Sequence, residues 1–409
     1  MHILIAGASA RAASDSAARA GFEVTAIDAF ADLDRHASVR ALSMPRDFDV
    51  KATPRRMVRA ARGLAAEAAV YLSPFENHPQ AVAELARNRR LLGNAPEVLR
   101  AVRDPVFVSD TLRRHGTPAA AVRVDGLEHR RAGPFGPAVG DEDRGGRGGW
   151  MVKPLASGGG RGVRRWRPGS RLPARCYLQE FVDGVPGSVV FVAAGGRCSV
   201  LAVSRQLVGD AVFGAGGYRY CGSMMSLDPD DPWEGDRRLA SAAHALADAA
   251  SRSFRLVGVN GVDFVVRDGV PVAIEVNPRW SASMELVDRM CETPLMAAHE
   301  ESCRSGAPPH VHRARDAGVT GKAIVFAKSR VTAGDTRRWI GSAGWGDVRD
   351  VPWPGTSFER GDPICTVLAA GRTFADCYAA LAAKASVIYE GLRPQGSGHR
   401  AGPGSRSQG

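Results

Sequence analysis

Lysine is nearly missing from this sequence of 409 residues. Of the 54 basic residues only five are lysines, at positions 51, 153, 322, 328 and 384, and the others are arginines. Together with the abundance of alanine and glycine, this indicates a compositional bias spread over the surface, and no basic block is interleaved with aromatic residues. The net charge of +11 therefore predicts a mild preference for anionic substrates and no nucleic-acid partner.

Paired cysteines and long apolar runs are absent as well. The seven cysteines show no CxxC pair and no regular spacing, which favours free thiols in a reducing compartment. No apolar run approaches the roughly 18 residues that a membrane-spanning helix needs, so we expect no membrane partner. The opening residues 1–7 are too short for the apolar region of a signal peptide and lack a basic flank. These absences predict a cytoplasmic protein.

The first 115 residues alternate between strand and helix patterns. Apolar runs over 3–6, 22–27 and 68–72 read as buried strands, and the alanine-rich stretch 12–20 between the first two reads as a helix. This rhythm predicts a parallel sheet that binds ligands at the carboxyl ends of its strands. The turn after the first strand lacks the GxGxxG pattern, so a dinucleotide site is not expected. Polar residues over 73–79 either contact a substrate or cap a helix at Asn77.

The first segment with chemical character is a lysine followed by a glycine-rich loop. Lys153 lies in a strand pattern, and Gly158, Gly159, Gly160 and Gly162 follow it before a second short strand. Glycines let backbone N–H groups approach phosphate oxygens and let a loop close as a flap. A lysine before the loop supplies a charge for the phosphates, and its rarity here favours a functional role. The alternative interpretation of the loop is an ordinary turn.

The second segment, residues 176–184, is an apolar strand that ends in acid and glycine. Such a linker between two lobes can pair with the edge of adenine through its backbone, and its carboxylate can bind a ribose hydroxyl. The residues concerned are Gln179, Glu180, Phe181, Val182 and Asp183. The alternative is an edge strand that ends in a turn.

The third segment predicts a hairpin with an acid on each arm. Asp263 lies in the strand over 258–266, and Glu275, Asn277 and Arg279 follow at alternate positions of a second strand, so that all three share one face. Two carboxylates and an amide oxygen form a hard-oxygen site suited to Mg²⁺. Arg279 can neutralise a transferring phosphoryl group or bind a carboxylate. The alternative is a solvated hairpin face that carries salt bridges.

Together, these three segments resemble the ATP-grasp superfamily, and in particular its carboligase-like branch related to biotin carboxylase. The resemblance implies an α/β and α+β protein with the ATP-grasp fold, an N-terminal Rossmann-like (pre-ATP-grasp) domain and a C-terminal lid domain. It implies ATP and Mg²⁺ (or Mn²⁺) as cofactors. The nucleotide contacts it implies are Lys153, Gly158, Gly159, Gly160, Gly162, Gln179, Glu180, Phe181, Val182 and Asp183, the metal ligands Asp263, Glu275 and Asn277, and the catalytic residues Arg279 and Lys153.

The resemblance also divides the chain. The predicted units are a Rossmann-like domain over 1–115, a small lobe over 116–190, a large lobe with the metal site over 191–310, a biotin-carboxylase-like C-terminal domain over 311–393 and a disordered tail over 394–409. A stretch rich in glycine and arginine, near 133–149, is expected to be a surface insertion.

Two positions depart from the family pattern. Family members carry a nucleotide-binding lysine in an Asp-Lys pair near the end of the first domain, whereas this chain has Asp104-Pro105 there, so either Arg103 or no residue replaces that lysine. The family's ribose-binding acid falls near Pro186 or Gly187, where Asp183 is the nearest substitute.

The reaction implied by the resemblance is ligation of a carboxylate to an amine or a thiol through an acyl phosphate, with release of ADP. Some relatives act in the synthesis of one-carbon carriers of the methanofuran or pterin type. Small-molecule carboxylate and amine substrates are then the partners, and a homodimer is compatible with the likeness. The alternatives are a bicarbonate-activating carboxylase similar to biotin carboxylase and a non-catalytic nucleotide-binding regulator.

The acceptor site has its own candidate segment. The polar residues 204–206 and 218–222 lie between the linker and the metal hairpin, where they line the acceptor site or form an ordinary β-meander surface.

Overall fold

A computed structural model describes residues 1–124, 149–228, 230, 232–233, 236–312, 317–341 and 347–392. Most of the predicted insertion near 133–149, and the whole predicted tail over 394–409, lie outside these ranges.

The N-terminal part is a parallel sheet flanked by helices, as the alternating pattern predicts. The five strands run in the order β3-β2-β1-β4-β5 and every pairing is parallel. The strands are β1 (His2–Ala6), β2 (Glu23–Asp28), β3 (Arg40–Ser43), β4 (Ala68–Tyr71) and β5 (Arg90–Leu92), and the helices are α1 (Arg11–Arg19), α2 (Met44–Phe48), α3 (Pro54–Ala61), α4 (Pro79–Leu85), α5 (Pro96–Val102) and α6 (Pro105–Arg114). Strand β1 is buried on both faces, which is why it reads as an unbroken apolar run. Helix α4 begins at Pro79 behind His78, so the suggested cap at Asn77 is wrong; residues 75–77 form a separate 3₁₀ turn.

A small antiparallel sheet of four strands follows. Its strand order is β6-β9-β7-β8. The strands are β6 (Val122–Arg123), β7 (Trp150–Pro154), β8 (Arg164–Arg165) and β9 (Cys176–Glu180). Strand β7 carries Lys153, the loop between β7 and β8 is the glycine-rich segment, and β9 leads into the predicted linker.

The largest layer is an antiparallel sheet of eight strands in the order β14-β13-β10-β11-β12-β15-β19-β17. Its strands are β10 (Val185–Ala194), β11 (Arg197–Val208), β12 (Tyr220–Ser226), β13 (Gly258–Arg267), β14 (Val270–Asn277), β15 (Val319–Phe326), β17 (Val348–Arg349) and β19 (Pro363–Gly371). Strands β15, β17 and β19 come from the C-terminal part of the chain, which therefore continues the sheet that carries the predicted metal hairpin. Strands β16 (Val331–Thr332) and β18 (Ser357–Phe358) form a separate pair.

Helices cover the large sheet and contact the N-terminal part. They are α7 (Arg237–Phe254), α8 (Met284–Met290), α9 (Leu295–Ser305) and α10 (Phe374–Gly391). One face of the sheet packs its apolar side chains, among them Phe191 and Phe264, against α7 in the largest core. The described part of the chain contains no helix that combines the length and the apolarity of a bilayer crossing.

Candidate active site

The predicted hairpin is formed by β13 and β14, joined at Asp268 and Gly269. Asp263 lies directly opposite Glu275, so both carboxylates face the same side of the sheet. The Asn277 amide donates a hydrogen bond to Asp263 (2.9 Å), and Gln206 of β11 donates another to the second oxygen of the same carboxylate (2.9 Å). Arg279 lies two residues beyond the end of β14 and faces the same cavity. The structure thus brings together the four residues predicted from this segment.

The pKa values of the two carboxylates are shifted in opposite directions. Burial, followed by repulsion from Glu275, raises the pKa of Asp263 to about 6. Burial also acts to raise the pKa of Glu275, but the cations of Arg103 and Lys153 outweigh it, and that pKa lies below its ordinary value. Of two acids that face each other at one site, one therefore has a raised pKa and the other a lowered pKa. Such an arrangement is typical of functional sites.

Arg103 immediately precedes Asp104-Pro105, the pair at which this sequence departs from the family's Asp-Lys pattern. Asp104 caps helix α6 by accepting hydrogen bonds from the backbone of Val106 (3.1 Å) and Phe107 (3.0 Å), and Pro105 fits the first helical position because it has no N–H to satisfy. Arg103, just before this cap, forms an ion pair with Glu275. Arg103 also lines the cavity, so an arginine is available where the family carries its lysine.

Lys153 and the glycine-rich loop form one wall of the cavity. Burial lowers the pKa of Lys153, while the carboxylates of Glu275 and Asp263 act in the opposite direction. Gly158, Gly159 and Gly160 line the same cavity, whereas Gly162 packs against the ring of Pro154 and does not. The loop and its lysine are therefore placed together beside the hairpin.

Gly160 shows why this loop needs glycine. Its φ is +75°, and a Cβ there would lie 1.8 Å from the carbonyl oxygen of Tyr218. The neighbouring carbonyl of Gly159 accepts a hydrogen bond from the Tyr220 backbone (3.1 Å). The loop thus lies directly against the chain that leads into β12 and covers the cavity.

The linker residues divide into two groups. Gln179, Glu180, Phe181 and Val182 line the cavity, whereas Asp183 is exposed and does not. The Gln179 amide donates to the carbonyl of Ile274 (3.0 Å), which fixes the linker against β14. The carboxylate of Glu180 is held by Arg267 (2.8 Å) and by the backbone N–H of Ala121 (3.1 Å). This end of the cavity has apolar walls that include Met151, Val265 and Ile274, which suit a flat aromatic ring.

Glu76 is a residue that the sequence reasoning missed. It lies in the short turn after β4, is 1% exposed, and forms an ion pair with Arg279 (2.7 Å). Arg279 also donates to Asn277 (3.3 Å) and to the carbonyl of Trp280 (3.1 Å), so its guanidinium is held in one orientation. Glu76 falls within the polar stretch 73–79, but no spacing rule connects it to an arginine 203 positions later.

A second charged group lies at the opposite end of the cavity from the linker. Glu285 of α8 is buried and forms ion pairs with both Arg11 of α1 and Lys322 of β15. The sequence reasoning missed all three, although the scarcity of lysine that singled out Lys153 applies equally to Lys322. Glu285 and Lys322 line the cavity, together with Asp350 and Thr366.

The predicted acceptor segment contributes only in part. Gln206, Tyr218 and Tyr220 line the cavity. Ser204 is fully buried, and the guanidinium of Arg205 stacks on Trp233 and Phe374 on the other side of the sheet (5.1 and 4.7 Å to the ring centroids). Alternation along β11 explains the position of Arg205, because its side chain points to the face opposite that of Ser204 and Gln206.

All of these elements enclose a cavity of about 620 Å³. Its lining passes from the linker, over the glycine-rich loop and the metal hairpin, to the charged group around Glu285. Among the described residues, no group of three or more His, Cys, Asp or Glu side chains is placed to hold a metal ion on its own. The hairpin offers two carboxylates and an amide, which fits Mg²⁺ of the kind that completes its coordination with substrate phosphates and water.

Comparison with known proteins agrees with this geometry. Residues 141–283 match the family model of the ATP-grasp domain. An uncharacterized protein of Methanocaldococcus jannaschii is 27% identical over 119 residues, which make up 29% of this chain and 27% of that protein. The chain therefore matches little more than a quarter of the length of this curated relative.

Solved structures share the fold along almost the whole chain. Biotin carboxylase from Campylobacter jejuni, in a β-γ-ATP complex, has a TM-score of 0.65 at 15% identity, covering 96% of this chain and 91% of that chain. The biotin carboxylase domain dimer of the Hydrogenobacter thermophilus 2-oxoglutarate carboxylase was solved with MgADP and bicarbonate. It has a TM-score of 0.63 at 14% identity, covering 91% of this chain and 86% of that chain. An L-amino acid ligase from Bacillus licheniformis has a TM-score of 0.62 at 14% identity, covering 94% of this chain and 97% of that chain.

Proposed function

Residues 141–283 belong to the ATP-grasp domain family and the chain has the ATP-grasp fold, as the sequence predicts; from this premise we propose that it is an ADP-forming ligase that joins a carboxylate to an amine through an acyl phosphate. The observation that carries the proposal is the continuous cavity. It links an apolar end, a cationic loop, an acidic hairpin and a separate charged end.

In this proposal, the nucleotide lies between the linker and the hairpin. Adenine packs against Met151 and Ile274 beside the linker, and the phosphates lie under the loop of Gly158 to Gly160. Lys153 and Arg103 supply positive charge at the phosphates. The chain thereby provides binding groups for the adenine and for the phosphates of ATP.

Asp263, Glu275 and Asn277 hold Mg²⁺ in the same proposal. Bound there, the ion supplies charge neutralisation for the transferring phosphoryl group. The pairing of Arg103 with Glu275 does not conflict with this role, because a triphosphate offers the arginine an alternative anionic partner.

Arg279 is the proposed group for the substrate carboxylate. Its guanidinium is fixed by Glu76, Asn277 and Trp280, so it keeps its orientation without a ligand. A preorganised cation stabilises the negative charge of the carboxylate and of the acyl phosphate. The loop of Gly158 to Gly160 excludes water, which would otherwise hydrolyse that intermediate.

The proposal is tested by an ATPase screen of carboxylate and amine pairs in which ADP is measured and the product is identified by mass. Acids and amines related to methanofuran and pterin-linked carriers are the first pairs to screen, because the sequence resembles ligases of that kind. ADP release that requires both an acid and an amine, with a product lighter than their sum by one water, supports ligation. ADP release that requires bicarbonate instead identifies a carboxylase, and nucleotide binding without turnover identifies a regulator.

A further inference from the structure

A line of polar side chains leads from the metal hairpin to the far end of the cavity. Glu275 lies opposite Asp263, Gln206 bonds to Asp263 and lies opposite Ser223, and Ser223 lies opposite Lys322. Residues opposite one another in an antiparallel sheet share a face. One face of the large sheet therefore connects the hairpin to Lys322.

Three separate parts of the chain meet at this end. Arg11 comes from the first helix, Glu285 from α8, and Lys322 from β15. Asp350, just after β17, pairs with the Arg11 guanidinium (2.8 Å) and accepts a hydrogen bond from Thr366 of β19 (2.5 Å). Glu285, Lys322, Asp350 and Thr366 all line the cavity, so this group is open to a ligand that also reaches the hairpin.

Negative charge is in excess here. The two cations, Arg11 and Lys322, face four carboxylates within 3.4 Å or less, namely those of Asp15, Asp34, Glu285 and Asp350. Buried ionised groups are costly unless opposite charges compensate them. Burial is the main cause that raises the pKa of Asp34 to about 6, and the charge of Asp350 adds to it.

Asp350 is the member of the group that a ligand can reach. Its side chain is 26% exposed, whereas those of Glu285 and Asp34 are 7% and 6% exposed. Glu285 is also held by two cations, while Asp350 has Arg11 on one oxygen and the Thr366 hydroxyl on the other. Within this group, Asp350 is therefore the carboxylate most accessible to a cation in the cavity.

From this geometry we propose that the far end of the cavity binds a cationic group of the acceptor substrate other than its reacting amine, and that Asp350 recognises this ammonium group beside the hydroxyl of Thr366. The inference rests on the proposed ligase function and names the substrate class of the same cavity. A metal ion does not fit, because the cations Arg11 and Lys322 stand between the carboxylates, and within the described ranges no three acidic side chains are placed to share an ion. The line through Gln206 and Ser223 then leads from this ammonium group back to the hairpin, where the reacting amine of the same acceptor would meet the acyl phosphate.

The test is calorimetric titration of the full chain, loaded with Mg-ADP, with butylamine, phenylethylamine and tyramine. Each amine is compared with the alcohol that carries a hydroxyl in place of the amino group. We expect at least one amine to bind about tenfold tighter than its alcohol, since a hydrogen bond between charged groups contributes that much. Equal binding of every amine and its alcohol would overturn the proposal.

Two variants locate the effect. Asp350→Asn should lower the affinity for the amine about tenfold, and Asp347→Asn, an exposed position outside the cavity, should not change it. If Asp350→Asn does not fold, Thr366→Val removes the neighbouring hydroxyl and should give a smaller loss of the amine preference. An amine preference that is undiminished in the folded variants would contradict the assignment.

Failure of the proposed subsite can be distinguished from failure of the proposed ligase function. If Mg-ADP itself does not bind to the wild-type chain, the ligase proposal fails. If Mg-ADP binds and ADP is formed in the screen, but amines and alcohols bind equally, only the ammonium subsite is wrong.

Discussion

Arg103 and Glu275 form an ion pair that joins the end of the first domain to the acidic hairpin. Arg103 also approaches the carbonyl of Ser157, at the start of the glycine-rich loop (3.5 Å). Burial acts to lower the pKa of Arg103, but the charge and hydrogen bond of Glu275, together with the charge of Glu76, outweigh it and raise that pKa, so this side chain stays a cation. One residue thus contacts both the proposed metal site and the proposed flap.

Replacing Arg103 tests whether it substitutes for the missing Asp-Lys lysine. Arg103→Ala should raise the KM for ATP about tenfold to a hundredfold, because a charge-assisted contact to phosphate is lost. Arg103→Lys keeps the charge and should recover part of that loss. Steady-state kinetics of ADP formation measures both, and an unchanged KM in Arg103→Ala would remove this residue from the nucleotide site.

Glu275→Gln tests the metal assignment. It should lower the rate of ADP formation about a hundredfold or more while the fold stays intact, because a neutral amide holds Mg²⁺ poorly and metal-ion catalysis contributes several kcal/mol. The matched control is Glu292→Gln at an exposed position outside the cavity, which should behave as wild type. Near-normal turnover in Glu275→Gln would contradict the assignment.

Lys153→Ala should weaken ATP binding about tenfold, because the loop loses its point charge for the phosphates. Lys51→Ala removes an exposed lysine far along the chain from this loop and serves as the control. Equilibrium titration with a fluorescent ATP analogue compares the two variants. Equal affinities would exclude Lys153 from the site.

Glu76→Gln tests the positioning of Arg279. The variant keeps the shape of the side chain and removes the charge that holds the guanidinium, so Arg279 should lose its fixed orientation. We expect a rise of about tenfold in the KM for the carboxylate, with the KM for ATP nearly unchanged. Glu84→Gln, on the exposed side of α4, is the control, and a uniform loss in both constants would point to a structural role instead.

We expect the buried His299 side chain to make the folded protein less stable in acid. It is 3% exposed, its Nδ1 accepts a hydrogen bond from the Val259 backbone (2.9 Å), and burial lowers its pKa from 6.5 to about 4. Between pH 6.5 and about pH 4, His299 is therefore protonated in the unfolded chain but not in the folded chain. The free energy of unfolding therefore falls as the pH falls from 6.5 to 4, by on the order of 3 kcal/mol.

Urea unfolding of wild type and His299→Gln at about pH 7 and about pH 4.5 measures this contribution. The difference between the two proteins should shrink at the lower pH, because other titrating groups are common to both. A difference that does not change with pH would show that the pKa of His299 is the same in the folded and the unfolded chain.

Local patterns carried much of the prediction. The hairpin of β13 and β14 was predictable because alternating apolar residues and a tight Asp-Gly turn determine both strands, but the bulge beside Asp263 that places it opposite Glu275 was not predictable. The lysine, the glycine loop and the linker were likewise readable in order along the chain. Their roles at the site remain proposals, as does the predicted division into domains.

The contacts between distant segments were not predictable. Arg11 and Glu285 are 274 positions apart, and Arg103 and Glu275 are 172 apart. Periodicity describes which face of an element is buried, but it does not say which charged side chains from other elements meet there. The scarcity of lysine is the one sequence signal that extends to Lys322, since it was already an argument for Lys153.

The most direct test of this account is a crystal structure of the full chain with Mg²⁺ and a non-hydrolysable ATP analogue. It should show adenine against the linker at Gln179 to Val182, and the triphosphate with its cation between Asp263 and Glu275. Nucleotide density anywhere other than this hairpin, or a cation held by other residues, would contradict it.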